Sequence, residues 1–399
     1  MTNLSPSPAL GTLPEPSARA TSARPSPVRE LLTRSRRPGI VSFGGGLPAS
    51  ELFDLEGLQA AFREALQNPA NLQYSASEGD AQLRGVIAER YRASGLDTPD
   101  STVMITTGSQ QALWLLAVGL VDPGDTVLVE EPCYLAALQS FELAGARIVG
   151  VPVVDGQLDV EALERLAAEH RPKFLYTVPT FQNPTGLTYS ASTRQGIAAA
   201  AVQHGFRVIE DDPYRKLRYD GEPVPSITDL APEHTINVGS MSKAIAPGLR
   251  TGWMRLPDDI RRAVHVAKQA TDLHTSGIDQ AALALYITSG RDNEALVPIR
   301  AEYTRRRDAM LEAVAASFPE GSTWTRPEGG MFVWVRLPEG RSSIELLPRA
   351  LDAGVAYVPG EMFYCGHPDA RTLRLSFTNH SATTIHEAIG RLGTALHAE

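Results

Sequence analysis

The chain has 399 residues, 43% of them hydrophobic and 21% charged, the balance of a soluble globular protein with length for one large domain and a smaller one. A formal net charge of −9 argues against a general nucleic-acid-binding face, and no uninterrupted run of roughly 18 apolar residues offers a membrane span. The two cysteines, Cys133 and Cys365, form neither a disulfide framework nor a metal motif and suit a reducing, cytoplasmic setting.

Residues 1–28 are rich in Pro, Ser and Ala and lack the apolar core of a signal peptide, which predicts a flexible arm. Arg29–Arg34 is a short amphipathic stretch where order is expected to begin. Val41-Ser42-Phe43 reads as a short strand, and Gly44, Gly45 and Gly46 after it either make a plain turn or let the backbone pass close to a partner. From residue 81 helices and strands alternate. Helices are expected at Ala81–Arg92, Ser109–Leu120, Tyr134–Ala144, Val160–Glu169 and Ala191–His204. Short apolar strands are expected at Val103–Thr106, Thr126–Glu130, Arg147–Pro152, Phe174–Val178, Arg207–Asp211, Thr235–Gly239 and Thr251–Arg255. This order predicts an α/β fold with a mainly parallel sheet covered on both faces, whose sites lie at the carboxyl ends of the strands. Residues 258–316 read as mostly helical, with the basic stretch Arg300–Arg307 as a solvated face. A smaller α+β unit follows, with strands at Met331–Arg336, Val355–Val358 and Thr372–Phe377 and a last helix at Ile385–His397. The domain division expected is a large domain over 50–299 and a small one from 29–49 with 300–399.

Several strand ends carry chemistry. Lys243, in Ser240-Met241-Ser242-Lys243, is placed like a catalytic amine, since burial or nearby cations turn a lysine into a nucleophile toward carbonyls. Arg250, seven residues on, suits a two-pronged grip on phosphate. Asp211, in Glu210-Asp211-Asp212-Pro213-Tyr214, can pair with a protonated ring nitrogen, and Tyr214 can reach a ring oxygen; a surface acidic turn is the plain alternative. Asn183-Pro184-Thr185-Gly186 reads first as a turn whose Asn can also donate to a ring oxygen. Thr107-Gly108-Ser109-Gln110 is an anion site at a helix start, or a helix cap by Ser109, or both. Tyr134 is either a ring-stacking residue or a core aromatic. Cys133, after Pro132, is read as a small space-filling residue rather than an activated thiol. Arg374, a charge among apolar neighbours, needs a partner: a substrate carboxylate or a structural ion pair.

In order and spacing these motifs resemble the pyridoxal-phosphate (PLP) dependent aminotransferases of fold type I, class I/II, from about Arg29 to the C-terminus. The stretches VRELL, FGGGLP, LQYSASEGD, TTGSQQAL, FQNPTG, EDDPYR, PGLR, LHT and GGMFVW are most similar to 2-aminoadipate aminotransferases, and kynurenine, branched-chain and aromatic aminotransferases share most of them. The resemblance implies that Lys243 carries the cofactor and shuttles the proton. It implies that Asp211 pairs with the pyridine nitrogen, Tyr214 and Asn183 contact the phenolic oxygen, and Tyr134 stacks on the ring. Ser109, Gln110, Ser240, Ser242 and Arg250 would hold the phosphate, with Tyr74 reaching it from a second subunit, hence a homodimer with shared sites. Arg374 would take the substrate α-carboxylate, with Asn183, Gly45 and Tyr74 also on the substrate side, and Arg29 would meet a distal carboxylate. The implied partners are an amino acid and a 2-oxo acid. Two other readings stand beside this one. A PLP lyase or decarboxylase can use the same fold. A non-catalytic PLP-binding regulator needs a DNA-binding domain, for which the roughly 28 residues before the resemblance begins are too few.

Overall fold

The computed structural model describes residues 13–17, 19, 21 and 39–397. Arg29, the amphipathic stretch Arg29–Arg34 and most of the expected arm lie outside the described residues.

The strands in chain order are β1 Val41–Ser42, β2 Val103–Thr106, β3 Thr126–Glu131, β4 Arg147–Val154, β5 Gln157–Leu158, β6 Phe174–Thr177, β7 Arg207–Asp211, β8 Thr235–Ser240, β9 Gly252–Arg255, β10 Thr323–Trp324, β11 Phe332–Arg336, β12 Val355–Ala356, β13 Val358–Pro359 and β14 Thr372–Ser376. Eight form one sheet in the order β2-β9-β8-β7-β6-β3-β4-β5. The β4–β3–β6–β7–β8 block is parallel; β9 runs against both β8 and β2, and β5 folds back on β4. Every residue of β2, β6 and β8 is buried, with no alternation, because helices cover both faces. Asp80, Asp159 and Ser190 start three of those helices by accepting the N–H three residues on, and Gly145 and Gly205 end two of them in the left-handed region.

The parallel connections and the reversed β9 give the sheet one functional edge. The carboxyl ends of β2, β3, β6, β7 and β8 all point there, so the segments bearing Ser109, Tyr134, Asn183, Asp211 and Lys243 converge although up to 134 residues separate them. Arg250 enters the same edge just before β9 begins.

A second, antiparallel sheet runs β10-β11-β14-β13, and Arg374 lies in β14 opposite Trp334 and Val358. β1 pairs in parallel with β12, and Phe43 is held from both sides, by Ala356 O at 2.8 Å and by Ser376 N–H at 2.8 Å. This pairing sends Gly44–Gly46 toward the edge of the large sheet. One apolar cluster runs through both sheets, from Met104 and Phe174 to Phe332 and Leu375. Each such buried side chain contributes roughly 1.5–3 kcal/mol.

Three local expectations are corrected. Val355–Val358 is not one strand: it breaks at Tyr357, so β12 pairs with β1 and β13 with β14. Arg300–Arg307 is not a solvated face. Arg306 and Arg307 are buried inside the long helix Arg291–Ser317, where Glu51 and Glu302 pair with the first and Asp220 and Asp308 with the second. Ser109 does not cap its helix, which begins at Gly108 after Thr107. The sequence pattern also passed over the helix Leu55–Ala65, which packs on Gly277–Thr288.

Candidate active site

The functional edge opens into a cavity of about 810 Å³ between the two sheets. Its walls include Lys243, Asp211, Tyr214, Asn183, Tyr134, Ser109, Gln110, Ser240, Ser242, Arg250, Arg374 and Gly45. Thus all the residues singled out for a ring, a phosphate and an α-carboxylate share one space, except Tyr74; Arg29 lies outside the described residues. Tyr74 is 80% exposed, rests its ring edge on His274 and lies outside its own chain's cavity.

Lys243 Nζ donates to Gly46 O at 2.8 Å. Burial, then the Arg374 and Arg250 charges, lowers its amine to about 8, while Asp211 opposes the shift. Asp211 closes β7 and is fully enclosed. Tyr176 OH donates to its Oδ2 at 2.8 Å, whereas Oδ1 is buried with no hydrogen-bond partner. Burial pushes this carboxyl up to about 7, against the Tyr176 hydrogen bond.

Arg374 is held by neutral groups. Its guanidinium donates to Asn183 Oδ1 and to Gly44 O, each at 2.6 Å, and lies over the Phe332 and Phe363 rings at 4.3 and 5.0 Å. Nε has no partner, and burial lowers the group to about 10. Among the described residues its hydrogen-bond partners are the neutral Asn183 and Gly44, and no carboxylate pairs with it. Asn183 hydrogen-bonds the Tyr214 hydroxyl as well, and burial raises that phenol above its ordinary value.

The phosphate-type residues gather at the start of Gly108–Leu120. Gly108 has φ +76°, and a Cβ there would stand 2.6 Å from an Arg250 guanidinium nitrogen. Only glycine gives both the backbone angle and the room. Ser242 N–H is fixed by Ser240 Oγ at 3.1 Å, and Gln110 leans on Ser140 Oγ at 3.2 Å. Free N–H groups at this helix start, two arginine or lysine cations and three serines make a cradle for a dianion.

The donor set fits a phosphorylated pyridine aldehyde. An unpartnered buried carboxylate oxygen suits a protonated ring nitrogen, a partly neutral amine suits an aldehyde, and a cationic cradle suits the phosphate. Sequence reasoning missed Tyr176, which orients Asp211, and the rings of Phe332 and Phe363 around Arg374. Nothing local marks them: Tyr176 reaches Asp211 across the β6–β7 pairing, Phe332 lies on β11 beside β14, and Phe363 sits in the turn Gly360–Phe363 that follows β13. Cys133 is buried, its thiol pushed well up by burial, so the space-filling reading holds.

Residues 44–392 match the family model for aminotransferase class I and II. The chain belongs to this family. It is a PLP-dependent enzyme of fold type I that transfers amino groups between amino acids and oxo acids. An aromatic-amino-acid aminotransferase of Thermococcus litoralis is 40% identical over 393 residues, covering 96% of this chain and 94% of that one. A 2-aminoadipate transaminase of Thermus thermophilus is 40% identical, covering 93% and 94%. The crystal structure of a Pyrococcus horikoshii kynurenine aminotransferase in complex with PMP superposes with a TM-score of 0.91 at 41% identity, covering 95% and 96%.

Proposed function

We propose that this aminotransferase takes the amino group from 2-aminoadipate, glutamate, leucine or an aromatic amino acid and gives it to a 2-oxo acid such as 2-oxoglutarate in a ping-pong reaction with Lys243 as the reacting amine. The observation that carries the reading is the meeting of Lys243, the unpartnered Asp211 Oδ1 and the Arg250–Gly108 cradle in one cavity with Arg374.

Bound PLP supplies an electron sink for the substrate α-carbon. The chain does the rest. Asp211 would hold the proton on the ring nitrogen. Asn183 and Tyr214 would hydrogen-bond the ring oxygen, and Tyr134 would stack on the ring. Ser109, Gln110, Ser240, Ser242 and Arg250 would bind the phosphate. Arg374 exchanges its neutral contacts for the substrate α-carboxylate, with Gly45 backbone beside it. Lys243, with an amine near 8, has a neutral fraction at working pH and can take and return the α-proton.

Breadth of substrate fits the rest of the cavity lining. Leu47, Leu135, Ala136 and Phe363 are apolar, and Gln139 is polar without charge. They suit leucine and aromatic side chains, while Arg29 would serve acidic ones. The names of the relatives span the same range. Exposed Leu72, Tyr74 and Leu273 lie near the Tyr74–His274 contact and suit burial against a second copy, whose Tyr74 would reach this site. The free thiols Cys133 and Cys365 suit a cytoplasmic enzyme. The domain division proposed is 50–299 for the large unit and 29–49 with 300–399 for the small one.

A panel of amino donors with 2-oxoglutarate tests the reading by glutamate formation; release of CO2 in its place would favour a decarboxylase. Lys243→Ala is expected to lose the visible cofactor absorbance and turnover with circular dichroism unchanged. Substantial turnover by that variant overturns the assignment.

A further inference from the structure

A fully buried carboxylate that the proposed reaction does not use stands behind the cavity. Glu130, on β3, accepts four hydrogen bonds. Thr177 Oγ1 at 2.6 Å and Tyr189 OH at 2.7 Å meet Oε2; Val178 N–H at 2.9 Å and Gln182 Nε2 at 3.0 Å meet Oε1. A buried carboxylate is tolerated when its lone pairs are filled in this way. Gln182, 1% exposed, uses both ends of its amide. Nε2 also donates to Pro132 O at 2.8 Å, and Oε1 accepts Thr185 N–H at 2.8 Å and Thr185 Oγ1 at 2.6 Å. The two residues therefore tie three stretches together: the end of β3 leading to Tyr134, the end of β6, and the turn carrying Asn183. Asn183 in turn braces Arg374 at 2.6 Å.

We propose that Glu130 and Gln182 are a positioning pair that sets the distance between two walls of the ring site, Asn183 on one and Tyr134 on the other. The inference rests on the reading of Asn183 as a donor to the ring oxygen. Side chains aimed at a reacting group act only over a narrow range, and a shift of about 1 Å can cost roughly a hundredfold in rate. The network supplies that rigidity from outside the cavity. Neither residue touches it.

The test is a pH titration of the visible absorbance of the holoenzyme. Asn183 donating to the ring oxygen stabilises its deprotonated form, so a displaced Asn183 raises the midpoint. Gln182→Met keeps the volume and removes both ends of the clip. It is expected to bind cofactor, titrate about one pH unit higher and lose about tenfold in kcat. Glu130→Gln is the counterpart. Its amide oxygen can accept from Val178 and Gln182, and its nitrogen can donate to the Thr177 and Tyr189 hydroxyls. It keeps position without charge and is expected to titrate within about 0.3 units of the wild type. A wild-type midpoint in Gln182→Met overturns the proposal. So does a shift in Glu130→Gln as large as that in Gln182→Met, since Glu130→Gln keeps the hydrogen bonds that hold the position. Should Gln182→Met yield no holoenzyme, Thr185→Val removes one donor from the clip and must shift the midpoint in the same direction; no shift overturns the proposal. A wild-type holoenzyme without a titrating visible band would instead sink the reading of Lys243 and Asn183, before either variant is compared.

Discussion

Replacing Asp211 by Asn tests the electrostatics of the site without the reaction. In the apoprotein the carboxylate is enclosed, holds one hydrogen bond from Tyr176 at 2.8 Å and has one oxygen unpartnered. Burial raises it from an ordinary 3.8 to about 7. About three units correspond to about 4 kcal/mol, the cost of ionising it in the fold. The sign follows from the direction. A carboxyl raised in the folded state favours folding most below the unfolded value of 3.8 and loses that contribution as pH climbs to about 7. Roughly 2–3 kcal/mol of the loss falls between pH 5 and pH 8. Asn at 211 carries no such penalty. The assay is urea unfolding of wild-type and Asp211→Asn apoprotein at both pH values. The stability of the variant relative to wild type is expected to rise by about 2–3 kcal/mol from pH 5 to pH 8. An equal difference at both pH values would refute the claim that Asp211 is buried at a cost that a ring nitrogen relieves. Cofactor affinity should move the other way, falling in Asp211→Asn because the ionic partner is gone.

Other predictions concern the rest of the cavity. Arg374→Ala removes a buried cation that a substrate carboxylate would meet, so kcat/KM for amino donors should drop roughly 30-fold to several thousandfold, the range for breaking a buried charge pair, with the cofactor spectrum intact; a drop of less than about threefold in steady-state kinetics would contradict its role. Gly108→Ala forces a side chain into the left-handed region and against Arg250, and should weaken cofactor binding about tenfold or more in an absorbance titration. Gly39→Ala, at a similar φ of +88° but facing open space, should leave that affinity unchanged. Arg29→Ala should raise KM for 2-aminoadipate more than for leucine; equal losses would show that Arg29 does not read the side chain.

The chemistry was legible where local sequence and position at a strand end coincide. Lys243 after β8, Asp211 at the end of β7 and Asn183 beyond β6 lie in short motifs, and an alternating helix–strand pattern predicts that strand ends meet. Arg306 and Arg307 show the limit. A run of arginines reads as a wet surface, yet Glu51 and Asp220, more than 80 residues away in sequence, arrive to pair with them. Glu130 and Gln182 show it again, since nothing in EEP or FQNPTG indicates that one amide would serve both segments.

Residue order alone set the α/β class, the family and the residues able to hold a ring, an aldehyde and a phosphate, because strand periodicity and the chemistry of Lys, Asp and Arg are properties of short stretches. Only the tertiary structure decided the protonation of Lys243 and Asp211 and the partners of Arg374. Those depend on how much water is excluded and on which distant groups stand within bonding distance, and both are fixed when the second sheet closes over the edge of the first.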